Sequence, residues 1–248
     1  MDAKQSTPAE VSLPLVILPG LICDSRMFGT QVRDLGAIVV DGFYGQADRI
    51  AAMADYALER MPARCAVLGH SMGARVALEI WARAPRRVAR LALADTGIHT
   101  LRAGEREARY RLRDLGRREG SEALIDQWLP PMVGEAHRGD IGLMRELRAM
   151  AVDGGIAGYE RQIEALLHRP DAGELLPTIN CPTLVIVGAD DRWSPVSQHE
   201  EIASRIPGAE LRIVENAGHM APAEEPGRFN AFVREWLSAK KNGSGQRS

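Results

Sequence analysis

The sequence predicts an α/β fold in which helices cover both faces of a mostly parallel sheet of about six strands. The first observation is that short apolar runs of strand length alternate with segments whose apolar residues recur at helical spacing. The second is that this alternation stops between residues 98 and 176, where helical patterns dominate. We therefore expect an α/β core from residues 1–97 and 177–240, a helical cap inserted at 98–176, and a disordered Gly/Ser-rich tail at 241–248.

The part of the core before the cap contains four apolar runs and two amphipathic segments. Short continuous apolar runs are typical of parallel strands that are buried on both faces. Helices connect such strands, because a parallel pair needs a crossover. The predicted strands are 14–18, 37–41, 65–68 and 88–94, and the predicted helices are 47–60 and 74–82.

The cap is predicted to be entirely helical, and the strand-and-helix alternation returns after it. Gly, Pro and Asp residues separate the helical patterns of the cap. The predicted cap helices are 105–115, 121–128, 141–152 and 156–167. The predicted elements after the cap are strands at 183–188 and 210–214 and helices at 195–206 and about 224–240.

Residues 69–73 carry the most chemical information in the chain. They read Gly-His-Ser-Met-Gly and lie between a predicted buried strand and a predicted helix. A serine on so sharp a turn is held clear of the sheet, and the small flanking residues let the strand and the helix pass close to it. The amino end of the following helix stabilises negative charge nearby. This context makes Ser71 a candidate nucleophile.

A serine hydroxyl is a weak nucleophile at neutral pH, so it needs a base, and the base needs an orienting acid. Asp191 and His219 each follow a predicted strand. Because the carboxyl ends of parallel strands meet at one edge of a sheet, we expect both side chains beside Ser71. Two other acids are alternatives: Asp190 adjoins Asp191, and Asp95 ends the strand after the serine's helix.

These motifs resemble those of the α/β-hydrolase fold superfamily, in its capped branch of small bacterial esterases and related hydrolases. The resemblance covers about residues 14–96 and 183–237. It rests on residues 69–73, on Gly-x-x-Asp-x-x-x-Pro at 188–195, and on Ala-Gly-His at 217–219. Few residues precede the first predicted strand, so the hairpin that usually opens this fold is expected to be missing.

The resemblance implies roles for individual residues. It implies that Ser71 is the nucleophile, Asp191 the acid and His219 the base. It also implies that the backbone N–H groups of Leu21 and Met72 form an oxyanion hole.

Further residues are candidates for contacts with a substrate. The candidate substrate-binding residues are His70, Arg75, Trp128 and Met220. Structural alternatives are open at this stage: His70 can be a packing residue, Arg75 can brace the helix after Ser71, and Trp128 can belong to the core.

The start of the cap is rich in arginine, with acidic residues at positions that suit ion pairs one helical turn apart. This pattern favours a solvated helix face. The alternative is that one arginine turns inward and binds a substrate carboxylate, which suits the planar guanidinium. His199 lies on a predicted surface helix, where we expect it to be solvated.

The composition excludes several classes of protein. The 248 residues carry a formal net charge of −2, and no basic cluster indicates nucleic acid as a partner. No apolar run is long enough to span a membrane. The polar N-terminus lacks the layout of a signal peptide, and the three cysteines are widely spaced, so we expect a cytoplasmic protein with reduced thiols. No His or Cys spacing indicates a metal site.

The predicted function is a cofactor-free serine hydrolase similar to carboxylesterases, acting on a small-molecule acyl substrate. It would cleave an ester, lactone or thioester through an acyl-serine intermediate. The resemblance leaves two alternatives. One is a C–C bond hydrolase or a menaquinone-pathway-type lyase with the same triad and a carboxylate substrate. The other is a non-catalytic ligand-binding protein, because fold alone does not determine function. The oligomeric state stays open.

Overall fold

The computed structural model describes residues 13–239, in which one sheet lies between two layers of helices. Its strands are β1 (Leu15–Leu18), β2 (Ile38–Val39), β3 (Cys65–His70), β4 (Val88–Ala94), β5 (Thr183–Gly188) and β6 (Glu210–Val214). Every pairing is parallel, and the strand order is β2-β1-β3-β4-β5-β6. This six-stranded sheet confirms the predicted fold class. The predicted tail at 241–248 lies outside the described residues.

Helices cover both faces of the sheet. The described α-helices are α1 (Gly29–Leu35), α2 (Ile50–Arg60), α3 (Met72–Arg83), α4 (Glu105–Glu119), α5 (Ser121–Trp128), α6 (Ile141–Leu167), α7 (Val196–Arg205), α8 (Ala221–Glu224) and α9 (Pro226–Ser238). Helices α2, α3 and α7 pack on one face, and α1 and α9 pack on the other. None of these helices combines the length and the apolar character needed to cross a lipid bilayer.

Burial on both faces explains why the strands read as continuous apolar runs. In β1, Leu15 and Ile17 belong to a buried cluster that includes Phe229 of α9. Val16 and Leu18 point to the opposite face and join the cluster under α2 and α3. Because successive side chains alternate between faces, both faces must be apolar where both are covered.

The chain between β4 and β5 forms a helical insertion (residues 98–176), which contains α4, α5 and α6 and no strand. Helix α6 is interrupted at Gly155, whose φ of 67° lies outside the helical region. Trp128 and Ile163 of the insertion share one buried apolar cluster with Ile22, in the loop after β1. The insertion therefore has no separate core and packs directly onto that loop.

Three elements differ from the expectation: helices α1 and α8 were not predicted, and strand β2 is shorter than the strand predicted at 37–41. Helix α1 buries only Gln31, so no apolar periodicity marks it in the sequence. The helix predicted at about 224–240 corresponds to α9, and the short helix α8 before it was not predicted; the two are separate because Glu225 leaves the helical region (φ −126°) immediately before Pro226. The ring of a proline disfavours helical backbone at the residue before it.

Candidate active site

The turn between β3 and α3 holds Ser71 in a strained backbone conformation. Its φ is 55° and its ψ is −116°, a region that residues with a side chain rarely adopt. The N–H of Ser71 donates to the carbonyl of Ala94 at the end of β4 (2.8 Å). Gly69 and Gly73 are required, because a Cβ at either position would overlap backbone atoms of α3 or β1. The local sequence therefore places the hydroxyl of Ser71 at the carboxyl edge of the sheet.

Ser71, His219 and Asp191 form a continuous hydrogen-bonded chain. Nε2 of His219 lies 2.8 Å from Oγ of Ser71, and Nδ1 of His219 lies 2.8 Å from Oδ2 of Asp191. The other carboxylate oxygen accepts the N–H groups of Trp193 (2.8 Å) and Ser194 (2.9 Å). When Nδ1–H donates to the carboxylate, Nε2 is free to accept the hydroxyl proton. The arrangement can therefore activate the serine as a nucleophile.

Of the three candidate acids, Asp191 is the one that contacts His219. Burial opposes ionisation of Asp191, but the charge and hydrogen bond of His219, together with two backbone N–H groups, lower the pKa of the carboxyl. Asp190 is exposed to solvent. Asp95 is buried and accepts the N–H of Gly188 (2.9 Å). Burial, and then the charge of Asp191, raise the pKa of Asp95.

The buried carboxylate of Glu224 holds the loop that carries His219. It accepts the N–H groups of Gly218 (3.0 Å) and Met220 (3.0 Å), which flank the histidine, and of Gly134 (2.7 Å) in the helical insertion. Burial raises the pKa of Glu224, and these N–H groups act against that rise. The sequence analysis missed this residue, because Glu224 is one of two adjacent acids that follow the apolar residues 220–223, and the sequence does not distinguish the buried one from the partly exposed one.

The loop after β1 approaches Ser71 closely at Gly20. A Cβ on Gly20 would lie 2.9 Å from Nδ1 of His70 and 3.1 Å from Cβ of Ser71. Leu21 and Met72 both border the cavity that contains the serine. In the described part of the chain, neither backbone N–H donates to a protein atom. That of Met72 is among the first N–H groups of α3, which have no partner within the helix.

A cavity of about 370 Å³ opens beside Ser71 and His219. It is bordered by all four residues that the sequence analysis selected as substrate-binding, namely His70, Arg75, Trp128 and Met220. Among residues 13–239, no group of three or more His, Cys, Asp or Glu side chains is arranged to hold a metal ion.

Two of these four side chains are already engaged with the protein. The guanidinium of Arg75 donates to the carbonyls of Ile98 (2.8 Å) and His99 (2.6 Å), and so braces α3 against the helical insertion. His70 donates from Nε2 to the carbonyl of His219 (2.8 Å). Burial lowers the pKa of His70 to about 3, so its imidazole is neutral. Both side chains form the wall of the cavity.

Comparison with known proteins assigns the chain to a family. The sequence model of the alpha/beta hydrolase family matches residues 15–232. The chain belongs to the alpha/beta hydrolase family. The 2-hydroxy-6-oxononadienedioate/2-hydroxy-6-oxononatrienedioate hydrolase of Cupriavidus pinatubonensis is 30% identical over 183 residues, which cover 70% of this chain and 62% of that protein. The chain spans about two thirds of the length of the curated relatives that it matches.

Two solved structures resemble this alpha/beta hydrolase over nearly its whole length. An esterase from Thermogutta terrifontis, with malate bound, superposes with a TM-score of 0.81 at 28% identity, covering 91% of this chain and 89% of that one. The enol-lactonase of Burkholderia xenovorans LB400 shares the fold, with a TM-score of 0.82 at 24% identity and 94% of each chain covered. The relatives bear the names of different enzymes, among them hydrolases, an esterase, an enol-lactonase and a synthase, so membership of the family leaves the substrate open.

The cavity of this alpha/beta hydrolase carries an excess of positive charge. Its bordering arginines are Arg75, Arg102, Arg109, Arg169 and Arg192. Glu105 is the one carboxylate among the described residues that border it, and it accepts hydrogen bonds from both Arg109 (2.7 Å) and Arg169 (2.7 Å). Burial opposes ionisation of Glu105, but these two partners lower its pKa to about 2. Arg109 is only 6% exposed, so it is turned inward and does not lie on a solvated face.

The expectation that His199 is solvated is wrong. His199 is buried, Nε2 accepts the N–H of Thr96 (2.8 Å), and Nδ1 donates to the carbonyl of Pro195 (3.2 Å). Burial lowers the pKa of His199 to about 4. The hydroxyl of Thr96 in turn donates to the carbonyl of Ser71 (3.0 Å). Helix α7 is therefore tied to the turn that carries the serine.

Proposed function

We propose that this alpha/beta hydrolase cleaves a small ester, lactone or thioester through an acyl-serine intermediate, without a cofactor. The observation that carries the proposal is the 2.8 Å separation of Oγ of Ser71 and Nε2 of His219, continued by the bond from His219 to Asp191. A serine hydrogen-bonded to an imidazole, which is in turn hydrogen-bonded to a carboxylate, performs acyl transfer on several unrelated folds.

In the first step, Oγ of Ser71 attacks the substrate carbonyl while Nε2 of His219 takes the hydroxyl proton. Asp191 keeps the imidazole oriented and stabilises its positive charge. The N–H groups of Leu21 and Met72 stabilise the oxyanion of the tetrahedral intermediate. His219 then transfers its proton to the leaving alcohol or thiol as the C–O or C–S bond breaks, and the acyl group stays on the serine.

In the second step, a water molecule displaces the serine oxygen from the acyl group. Nε2 of His219 takes one proton from the water, and the oxygen attacks the acyl carbonyl. The bond to Oγ of Ser71 breaks as His219 returns the proton to that oxygen. The products are a carboxylic acid and the regenerated enzyme.

Trapping of the acyl-enzyme tests this proposal. After rapid mixing with p-nitrophenyl acetate and acid quenching, mass spectrometry is expected to find an acetyl group on Ser71. Ser71→Ala is expected to lower kcat/KM by about 10⁴-fold or more. Ser204→Ala, which changes an exposed serine of α7, is the control and should behave as wild type. A folded protein that forms no adduct and has no esterase activity would contradict the proposal and favour a ligand-binding role.

A second candidate function is a C–C bond hydrolase or lyase that uses the same residues on a carboxylate substrate. Arg109 and Arg169 are both buried at the cavity and share a single carboxylate, Glu105. A buried charge without its own counter-ion is costly, and a substrate carboxylate would supply one. In support, the Cupriavidus relative is named as a hydrolase of 2-hydroxy-6-oxononadienedioate, and the Thermogutta esterase was solved with malate bound.

A pair of esters that differ in one charged group tests this second candidate. Mono-p-nitrophenyl glutarate carries a carboxylate where p-nitrophenyl 4-carbamoylbutyrate carries an amide. Recognition by Arg109 predicts that kcat/KM favours the glutarate by about tenfold or more, after subtraction of the uncatalysed rates. Arg109→Met should remove this preference, whereas Arg111→Met, on the exposed face of the same helix, should keep it. The same ratio in all three proteins would contradict a carboxylate site at Arg109.

A further inference from the structure

We propose that Gln162, on helix α6 of the helical insertion, is a positioning residue that holds the backbone N–H of Leu21 in the oxyanion hole. The inference rests on the proposed hydrolase function. Gln162 is only 1% exposed and does not border the cavity. It acts through the loop after β1.

The loop after β1 contains a strained residue directly after Leu21. Ile22 has a φ of 48° and is completely buried. A β-branched residue at positive φ is an outlier, because its Cβ is crowded against the neighbouring backbone. Such a conformation persists only where surrounding contacts enforce it. The contacts of Ile22 therefore show what fixes the shape of this loop.

Gln162 makes the hydrogen bond that fixes Ile22. Its Oε1 accepts the N–H of Ile22 at 2.6 Å, and its Nε2 donates to the carbonyl of Phe43 at 2.9 Å. Phe43 also has a positive φ, of 50°. One buried amide thus joins two strained segments, the first after β1 and the second after β2. Both its oxygen and its nitrogen are needed, because one partner is a donor and the other an acceptor.

Other residues of α6 pack against the same loop. The backbone N–H of Asp24 donates to Sδ of Met150, with 3.5 Å between the nitrogen and the sulfur. Gly154 lets the helix approach closely, because a Cβ there would lie 3.0 Å from Cγ2 of Ile22. The loop after β1 therefore packs against helix α6, and Gln162 makes the hydrogen bond from this helix to the strained residue Ile22.

The direction of the Leu21 N–H depends on the conformation of this loop. If Ile22 relaxed toward negative φ, the peptide group between Leu21 and Ile22 would rotate. The preceding peptide group, which carries the Leu21 N–H, would then shift away from the developing oxyanion. A displacement of about 1 Å at a catalytic group can cost about a hundredfold in rate. Gln162 makes no hydrogen bond to the Ser71–His219–Asp191 chain, so the titration of the base and ground-state binding should not change.

Three variants test the proposal. Gln162→Met keeps the approximate size of the side chain but can make neither hydrogen bond. Gln162→Glu keeps the acceptor for Ile22 but cannot donate to Phe43 when ionised. Gln127→Met, on the exposed side of α5, is the control.

Each variant is assayed with p-nitrophenyl butyrate across pH, with rates expressed per serine titrated by a fluorophosphonate. Inhibition by a trifluoromethyl ketone, which forms a tetrahedral adduct bearing an oxyanion, is measured in parallel.

In Gln162→Met, kcat per titrated site is expected to fall by about tenfold to a hundredfold, with KM and the apparent pKa of the pH profile unchanged. The inhibition constant of the ketone should rise by a similar factor, because the ketone resembles the transition state. Gln162→Glu should lie between this variant and wild type, and Gln127→Met should match wild type.

Folded Gln162→Met with wild-type kcat and ketone affinity would overturn the positioning role, as would a lower Tm without any loss of kcat per site. If Gln162→Met does not fold, Gln162→Glu decides at the alkaline end of the pH profile, where its carboxylate is ionised and cannot donate to Phe43: an unchanged kcat and ketone affinity there would overturn the proposal. A wild-type protein that neither reacts with the fluorophosphonate nor hydrolyses the ester would instead refute the proposed function.

Discussion

Replacing Glu224 by glutamine tests whether a buried carboxylate holds the loop of His219 in place. Oε2 accepts the N–H groups of Gly134 (2.7 Å) and Gly218 (3.0 Å), and Oε1 accepts that of Met220 (3.0 Å). A glutamine has one acceptor oxygen, so its NH₂ group must face a backbone N–H. In the best orientation, the amide oxygen replaces Oε2, and the N–H of Met220 loses its acceptor.

The size of the effect follows from this one lost bond. A hydrogen bond to a charged group contributes about 1.5–3 kcal/mol, and a buried N–H without an acceptor is itself costly. Burial raises the pKa of Glu224, so a neutral amide at this position recovers part of the loss. We expect the free energy of unfolding to fall by about 2 kcal/mol, which lowers Tm by about 4–8 °C for a chain of this size. We also expect kcat to fall about tenfold, because the base is held less firmly.

Thermal unfolding followed by circular dichroism, and hydrolysis of p-nitrophenyl butyrate, measure the two effects. Glu225→Gln is the matched control, because the carboxylate of Glu225 is partly exposed and pairs with His137 (3.1 Å). A pair of this kind contributes at most about 1 kcal/mol. If Glu224→Gln and Glu225→Gln have the same Tm and the same kcat, the role assigned to Glu224 is refuted.

Three further variants test the electrostatics and the strain of the site. Burial opposes ionisation of Glu105, but the arginine partners of this carboxylate lower its pKa from 4.5 to about 2. The ionised carboxylate therefore stabilises the fold above pH 4.5, and this stabilisation is lost as the pH falls toward 2. Glu105→Gln should therefore flatten the dependence of Tm on pH in that window, and an unchanged slope in calorimetry would contradict the ion pairs. Burial lowers the pKa of His199 from 6.5 to about 4, so the unfolded chain binds a proton that the folded chain does not, and stability falls as the pH drops from 6.5 toward 4. His199→Gln should show a smaller fall over this range in urea titrations, and an equal fall would argue against a buried neutral imidazole. Ser71→Gly should unfold about 2–4 °C above Ser71→Ala, because glycine tolerates a φ of 55° and alanine does not. Equal melting temperatures of these two variants would show that the turn stores no strain.

The sheet and the order of the candidate catalytic residues could be predicted because their signals are local. The strands at 183–188 and 210–214 have their predicted bounds, since an apolar run between turn residues can be recognised without tertiary information. Ser71, Asp191 and His219 each follow a strand of a parallel sheet, and such a sheet brings its carboxyl ends together. Their convergence could therefore be predicted before any coordinates.

The residues that the sequence analysis missed or misjudged depend on partners far along the chain. Glu224 accepts the N–H of Gly134 as well as two nearby N–H groups, Gln162 bonds to the loops after β1 and β2, and His199 accepts an N–H from the loop after β4. Hydrophobic periodicity carries no information about such contacts. The inward orientation of Arg109 likewise depends on how α4 packs at the cavity, because by sequence alone its charge pattern also fits a solvated face.

The decisive measurement is the rate at which a fluorophosphonate modifies the folded protein. If His219 activates Ser71, mass spectrometry will find the label on Ser71, and His219→Gln will react slower by about a thousandfold or more. A folded wild-type protein that stays unlabelled, or a His219→Gln variant that is labelled at the wild-type rate, would contradict activation of the serine and with it the proposed hydrolase.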